Sequence, residues 1–141
     1  MAQKDVRHTF QLEVVSPQRL IVSEEVEELV APGVEGYFGV WPGHTPFMTT
    51  LKIGELSYKR GRDERFLAVS WGYAEVRPEK VIVLVETAER SEEIDAARAE
   101  QARVRAEERL RRWGDETIDF ALCQAALERA LARISVAAKG H

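Results

Sequence analysis

With 141 residues and 45% hydrophobic content, the chain is long enough for one domain or two small ones around a real core, and its composition excludes a disordered segment. The net charge of -4 gives no electrostatic case for nucleic acid, whose binding calls for a basic patch or a raised pI. A single cysteine, Cys123, excludes an internal disulfide framework, a cysteine zinc site and CxxC redox chemistry; its place in an apolar helical pattern reads as a small core residue.

The opening MAQKDVRHTF has no apolar leader region, and the longest uninterrupted aliphatic run, Val81 to Val85, is far short of a bilayer span. The expectation is a soluble, unexported chain that any membrane role would hold there through protein partners. Period-two alternation begins with Phe10, Leu12 and Val14, then recurs in Val26 to Val30, Ile53 to Tyr58, Phe66 to Ser70, Tyr73 to Arg77 and Val81 to Val85. Turn signals at Ser16-Pro17, Pro32-Gly33, Pro42-Gly43, Arg60-Gly61 and Arg77-Pro78 separate these runs. Residues 31 to 54, APGVEGYFGVWPGHTPFMTTLKIG, hold five Gly and three Pro, yet Tyr37, Phe38, Val40, Trp41, Phe47, Met48, Leu51 and Ile53 supply apolar side chains for short strands. No Lys-Ser or Lys-Thr follows these glycines, so they form turns and not a phosphate loop. The pattern predicts an antiparallel β-sandwich of about nine or ten strands.

All five prolines lie at or before Pro78, and after it only Gly114 and Gly140 occur, so the grammar changes near residues 86 to 91. Ser91 is the expected N-cap of a first helix running to about Arg112, with Glu92 and Glu93 in its first turn and Gly114 in a left-handed C-terminal position. Asp115 is the expected cap of a second helix whose Ile118, Leu122, Ala126, Leu127, Leu131 and Ile134 form an apolar face. Alanines at 96, 97, 99, 102 and 106 in the first helix and at 121, 125, 126, 130 and 132 in the second allow close approach in an antiparallel hairpin. The fold class is α+β by segregated domains: a sandwich over residues 1–88 and a helical hairpin over 89–141. Two helices alone bury little, so the hairpin leans on the sandwich or on a partner and is a candidate for movement.

An ordered set of segments resembles one family over almost the whole chain: Phe10-Gln-Leu-Glu-Val-Val-Ser-Pro17, the PGHTP at 42 to 46, Gly72-Tyr-Ala-Glu-Val76, IDAARA at 94 to 99 and ALARISVA at 130 to 137. That family is the epsilon subunit of bacterial rotary, F-type ATP synthases. Trp41, before the Pro-Gly-His, and Trp71, before Gly72, depart from its usual aliphatic residue and glycine. The resemblance implies a non-catalytic subunit on the central stalk beside gamma, touching the ring of c subunits, with ATP chemistry residing in alpha and beta. It implies mechanical coupling between ring and gamma, inhibition of hydrolysis by a mobile hairpin, and a peripheral place at the cytoplasmic face of the inner membrane. Glu35, Gly36, Tyr37 and Phe38 align with the loop expected to meet the c ring or gamma; an ordinary exposed turn is the alternative. His44 is an interface residue, a pH-sensitive group or a turn histidine, and the turn role is favoured because it has no metal partner in sequence.

Nine of the ten basic residues after position 88 are Arg, a planar multidentate donor suited to phosphate or carboxylate. Asp95, Arg98, Ala102 and Arg105 share one helix face, and Arg129 and Arg133 share another. Read without the family, Asp95 and Arg98 form an exposed ion pair on a solvated helix. Ile94-Asp95-Ala96-Ala97-Arg98-Ala99 resembles the ATP-binding motif of some bacterial epsilon subunits, which implies Glu89, Ile94, Asp95, Arg98 and Ala99 around adenine and Arg105, Arg129 and Arg133 around phosphates. No cofactor is required; ATP is the expected regulatory ligand, with any magnesium requirement open. Ligand at roughly 100 times its dissociation constant contributes about 2.7 kcal/mol to the state it selects, enough to hold a compact hairpin. By the same resemblance, Arg109, Arg111 and Arg112 are the inhibitory contacts with gamma and an acidic segment of beta. The alternatives are a self-contained ATP-binding sensor and a small sandwich hydrolase or sugar-binding module; the run Glu24, Glu25, Glu27, Glu28 gives the last little support, since it reads as a solvated strand and turn.

Overall fold

The computed structural model describes residues 8–112 and 114–140, so most of the N-terminal segment read above as lacking a leader lies outside the described residues. Eight strands come first: β1 (Phe10–Val15), β2 (Leu20–Val26), β3 (Glu28–Gly33), β4 (Gly36–Val40), β5 (Phe47–Leu51), β6 (Gly54–Arg60), β7 (Asp63–Val76) and β8 (Lys80–Arg90). A 3-10 turn (Ser91–Glu93) and two helices, α1 (Ala96–Leu110) and α2 (Phe120–Lys139), follow. Among the described residues the strands therefore number eight, not nine or ten. The runs read as Phe66 to Ser70 and Tyr73 to Arg77 are parts of one long strand, β7, while Val26 to Val30 is split at Glu27, whose N–H turns to the carbonyl of Lys59 at 2.7 Å.

The strand order is β2-β1-β8-β7-β5-β3-β4, with β6 bridging β3 and β7. All pairs are antiparallel except β1 with β8, which is parallel, because the first and last strands of the sandwich meet after a long excursion of the chain. Beside β8, β7 pairs with β6 up to Val69 and with β5 from Gly72 onward, so it belongs to both layers. Trp71 sits at the changeover with φ of 28°. At Gly72 a Cβ would stand 1.9 Å from the carbonyl oxygen of Leu84, so only glycine lets β7 and β8 pass this closely.

Alternation places Phe10, Leu12 and Val14 of β1, Leu29 and Ala31 of β3, Leu56 and Tyr58 of β6, and Val81, Val83 and Val85 of β8 in a single buried cluster. The pairing of β8 with β7 continues through Glu89 and Arg90.

The hairpin begins later than expected. Ser91 opens the 3-10 turn and its hydroxyl meets Glu92, while Ile94 remains extended and Asp95 caps α1 by accepting the N–H of Arg98 at 3.2 Å. Asp115 likewise closes a turn on the N–H and hydroxyl of Thr117, and Asp119 is the cap of α2. The two Asp residues follow the same logic: a short carboxylate satisfies a free N–H at the first turn. Gly114 does adopt φ of 90°. The buried side of α2 is Cys123, Ala130 and Val136, with Ala99 and Ala106 from α1, whereas Leu122 and Leu131 are exposed and Ile118 precedes the helix. The apolar face read from the sequence is thus partly rotated: small residues take the buried line, Leu127 and Ile134 stay half-buried, and Leu122 and Leu131 turn outward.

The hairpin is folded back on the sandwich, with α2 lying along β7 in the opposite direction. Near its middle the Arg129 guanidinium carbon lies over Trp71, 5.4 Å from the ring centroid; at its end the Lys139 ammonium lies 5.1 Å from the Phe66 ring centroid. On one flank Arg133 reaches Glu89 of β8, and on the other Ser135 and Lys139 reach the Glu55 carboxylate of β6. No described helix is long and apolar enough to cross a membrane.

Candidate functional site

A recess of about 170 Å³ opens where the end of β8, the 3-10 turn, the start of α1 and the middle of α2 converge, lined by Glu89, Glu93, Ile94, Asp95, Arg98 and Arg133. Each side chain arrives by a different local rule. Glu89 is delivered by its pairing with Ala68 near the end of the β8–β7 ladder, Ile94 by the extended link, Asp95 and Arg98 by the capped first turn of α1, and Arg133 by α2. The folded hairpin is a condition of the site, since residues 89 to 98 supply only one wall.

Within the recess the carboxylates are already engaged. Glu89 accepts two hydrogen bonds from Arg133, at 2.6 and 3.2 Å. Asp95 is held by the α1 amide and not by the Arg98 guanidinium, so the exposed ion pair read from sequence is replaced by a cap. Glu93 accepts two hydrogen bonds from Arg19 of the β1–β2 turn, both at 2.8 Å, and a third from the backbone N–H of Arg90 at 2.9 Å. The charge-assisted bonds from Arg19, reinforced by the Arg90 amide, hold its carboxyl far below the ordinary range, at about 2. Arg19 also donates to the carbonyl of Ala88, so the 3-10 turn is fastened to the sandwich on the near side of Ile94.

Of the eight residues expected around nucleotide, Glu89, Ile94, Asp95, Arg98 and Arg133 meet in the recess and three do not line it. Ala99 is fully buried, Arg105 is exposed on α1 about 10 Å along the axis from Arg98, and Arg129 sits one turn before Arg133 over Trp71. Glu93 and Arg19 were missed. Their separation of 74 residues leaves no local signal, and Ser-Glu-Glu looks like any acidic first helical turn.

The other candidates lie elsewhere. Glu35 lies with Val34 at the tip of the β3–β4 hairpin, and Gly36, the first residue of β4, has φ of 133°. Tyr37 is 55% exposed, and its hydroxyl accepts the N–H of Glu55 at 3.1 Å. Phe38 packs edge-on against Phe47 at 5.5 Å, and His44 lies 5.4 Å from the same ring while its backbone N–H closes a turn on Trp41. The turn bond of His44 is made by its backbone and not by its imidazole. Arg109, Arg111 and Arg112 are all exposed at the far end of α1, with Arg112 3.5 Å from Glu108.

Two family models cover the chain in succession: the beta-sandwich domain of the ATP synthase Delta/Epsilon chain matches residues 9–91, and the long alpha-helix domain of the same chain matches 92–138. The ATP synthase epsilon chain 2 of Syntrophotalea carbinolica is 52% identical over 140 residues, covering 99% of this chain and 98% of that protein. The ATP synthase epsilon chain of Geotalea uraniireducens is 53% identical over 130 residues, 92% of this chain and 94% of the relative. Among solved structures, a chain of the Euglena gracilis mitochondrial ATP synthase OSCP/F1/c-ring assembly superposes with a TM-score of 0.81 at 24% identity, covering 94% of this chain and 83% of that one. A chain of the Tetrahymena thermophila mitochondrial ATP synthase central stalk and c-ring gives 0.58 at 12% identity, over 92% and 94%. These two likenesses bear on the fold. Together with the matched sandwich and helical hairpin, the sequence relatives establish that the chain belongs to the delta/epsilon chain family of ATP synthase, as a bacterial F-type epsilon subunit.

Proposed function

We propose that this subunit is a non-catalytic coupling and regulatory element of the central stalk, with the sandwich (residues 1–88) docked to gamma and the c ring and the hairpin (89–141) serving as a nucleotide-sensitive brake on hydrolysis by the alpha and beta head. The subunit is held peripherally, through the complex, at the cytoplasmic face of the inner membrane. The names of the solved assemblies, which include c-ring and central stalk, support this placement. Arg109, Arg111 and Arg112 make the inhibitory contacts when the hairpin extends, where an acidic partner segment complements their charge.

The observation that carries the regulatory reading is the recess formed jointly by β8, α1 and α2. Its volume is below the roughly 300–1,000 Å³ usual for small-molecule sites, which suits enclosure of adenine with the phosphates lying outside along α2. Glu89 and Asp95 offer carboxylate oxygens to an exocyclic amine, and Ile94 offers apolar surface to a ring. Arg133 and Arg129, one turn apart, then face the phosphates. Binding requires Arg133 to exchange Glu89 for phosphate. Because that ion pair is partly exposed, it is worth about 0–1 kcal/mol, and the exchange is not prohibitive.

Calorimetric titration of the purified chain with ATP, with and without magnesium, tests this. Binding in the wild type that is lost in an Arg129→Ala/Arg133→Ala double variant is the expected result. No heat at millimolar ATP would remove the nucleotide role and leave a coupling subunit.

A further inference from the structure

Trp71 is the one non-glycine residue among those described with a positive φ, at 28°, a region that bulky side chains rarely occupy. Its indole is 42% exposed, and over it lies the Arg129 guanidinium, 5.4 Å from the ring centroid. The neighbouring arginine of the same face, Arg133, is turned the other way, into a two-bond contact with Glu89. Among the described residues no carboxylate pairs with Arg129.

A guanidinium carries its N–H donors in its own plane and meets an aromatic ring through its face. Cation–π attraction to Trp71 restrains the Arg129 guanidinium without using its N–H donors, which stay available to an anion. We propose that Trp71 is a positioning residue for anion recognition: it holds Arg129 with its donors presented to the phosphates of a nucleotide whose base occupies the recess. The inference rests on the nucleotide-binding reading above and adds to it a residue from the sandwich, far from the helical motif. It also gives the positive φ a purpose. At the changeover of β7 from β6 to β5 the backbone turns the side chain out of the sheet, and the adjoining Gly72, packed against the carbonyl of Leu84, leaves β7 no room to relax toward β8.

The test is a double-mutant cycle on the full chain with ATP affinity as readout, comparing wild type, Trp71→Gly, Arg129→Ala and the pair, with Trp71→Phe as rescue. Glycine accepts the positive φ, so Trp71→Gly retains the fold, which a thermal melt verifies. The expected result is an ATP affinity about threefold weaker in Trp71→Gly, most of it restored in Trp71→Phe, and no further loss when Trp71→Gly is added to Arg129→Ala. Unchanged affinity in Trp71→Gly, or losses that simply add in the pair, would overturn the inference while leaving the nucleotide site standing. Wild-type protein that does not bind ATP at all overturns the site itself, and this inference with it.

Discussion

The sandwich and the hairpin are held by different kinds of contact. The sandwich buries whole leucines, valines and a phenylalanine in one cluster, with Leu12, Leu29, Leu51, Leu56 and Leu67 at 1% exposure or less. The hairpin buries alanines, Cys123 and Val136, and its grip on the sandwich adds rim contacts such as Arg133 with Glu89 and Lys139 with Glu55. Fully burying a leucine side chain stabilises by about 1.5–3 kcal/mol and a single methylene-sized group by about 0.8. Partly exposed ion pairs add about 0–1 kcal/mol each. Small side chains thus bring two helices close without burying the large apolar groups that hold the sandwich together.

Three variants probe that contrast. Leu56→Ala removes a fully buried side chain from the sandwich and is expected to cost about 2–5 kcal/mol in urea unfolding. The hairpin should lose its amide-exchange protection together with the sandwich, because its docking surface goes. A hairpin still protected after the sandwich has melted would contradict the dependence argued here.

Glu93→Gln acts at the fastening between the two regions. The Glu93 carboxyl is lowered from its ordinary 4.5 to about 2 by the Arg19 hydrogen bonds, so its stabilisation is complete above pH 4.5 and disappears as pH falls toward 2. The variant should melt below wild type at pH 7, with the gap closing between pH 4.5 and pH 2. A gap independent of pH would assign the effect to packing and not to charge.

Smallest in its effect on the fold is the replacement of Arg109, Arg111 and Arg112 by Ala. All three are exposed, so each should change stability by no more than about 0.5 kcal/mol. ATP hydrolysis by the assembled enzyme should nevertheless rise as inhibition is relieved. Unchanged inhibition would remove these three as the contacts.

What was legible from sequence follows the range of the physics. Alternation is a local signal, and Phe10, Leu12 and Val14 lie in the core as the pattern required. Gly114 announced its left-handed turn for the same reason. Strand count failed at Trp71-Gly72, where a residue pair resembling a break is the changeover inside one strand. Helix starts failed because Ser91 and Asp95 before the first helix, and Asp115 and Asp119 before the second, offer similar local capping chemistry, so nothing local decides between them. The IDAARA segment located one wall of the recess, but the Arg19–Glu93 contact depends on the C-terminal sides of β1 and β8 being brought together by their parallel pairing.

The long strand β7 has a mechanical consequence. α2 grips it at two separated points, Trp71 and Phe66, along a line parallel to its axis. Ladder hydrogen bonds lie across the strand direction, so a pull transmitted by the helix loads the bonds to β6 and β8 side by side, in shear, instead of opening them one after another. Lifting the helix away from the sheet engages none of that ladder. The contact between α2 and the sheet is therefore directional: sliding along β7 loads the ladder, whereas peeling away from it breaks only side-chain contacts.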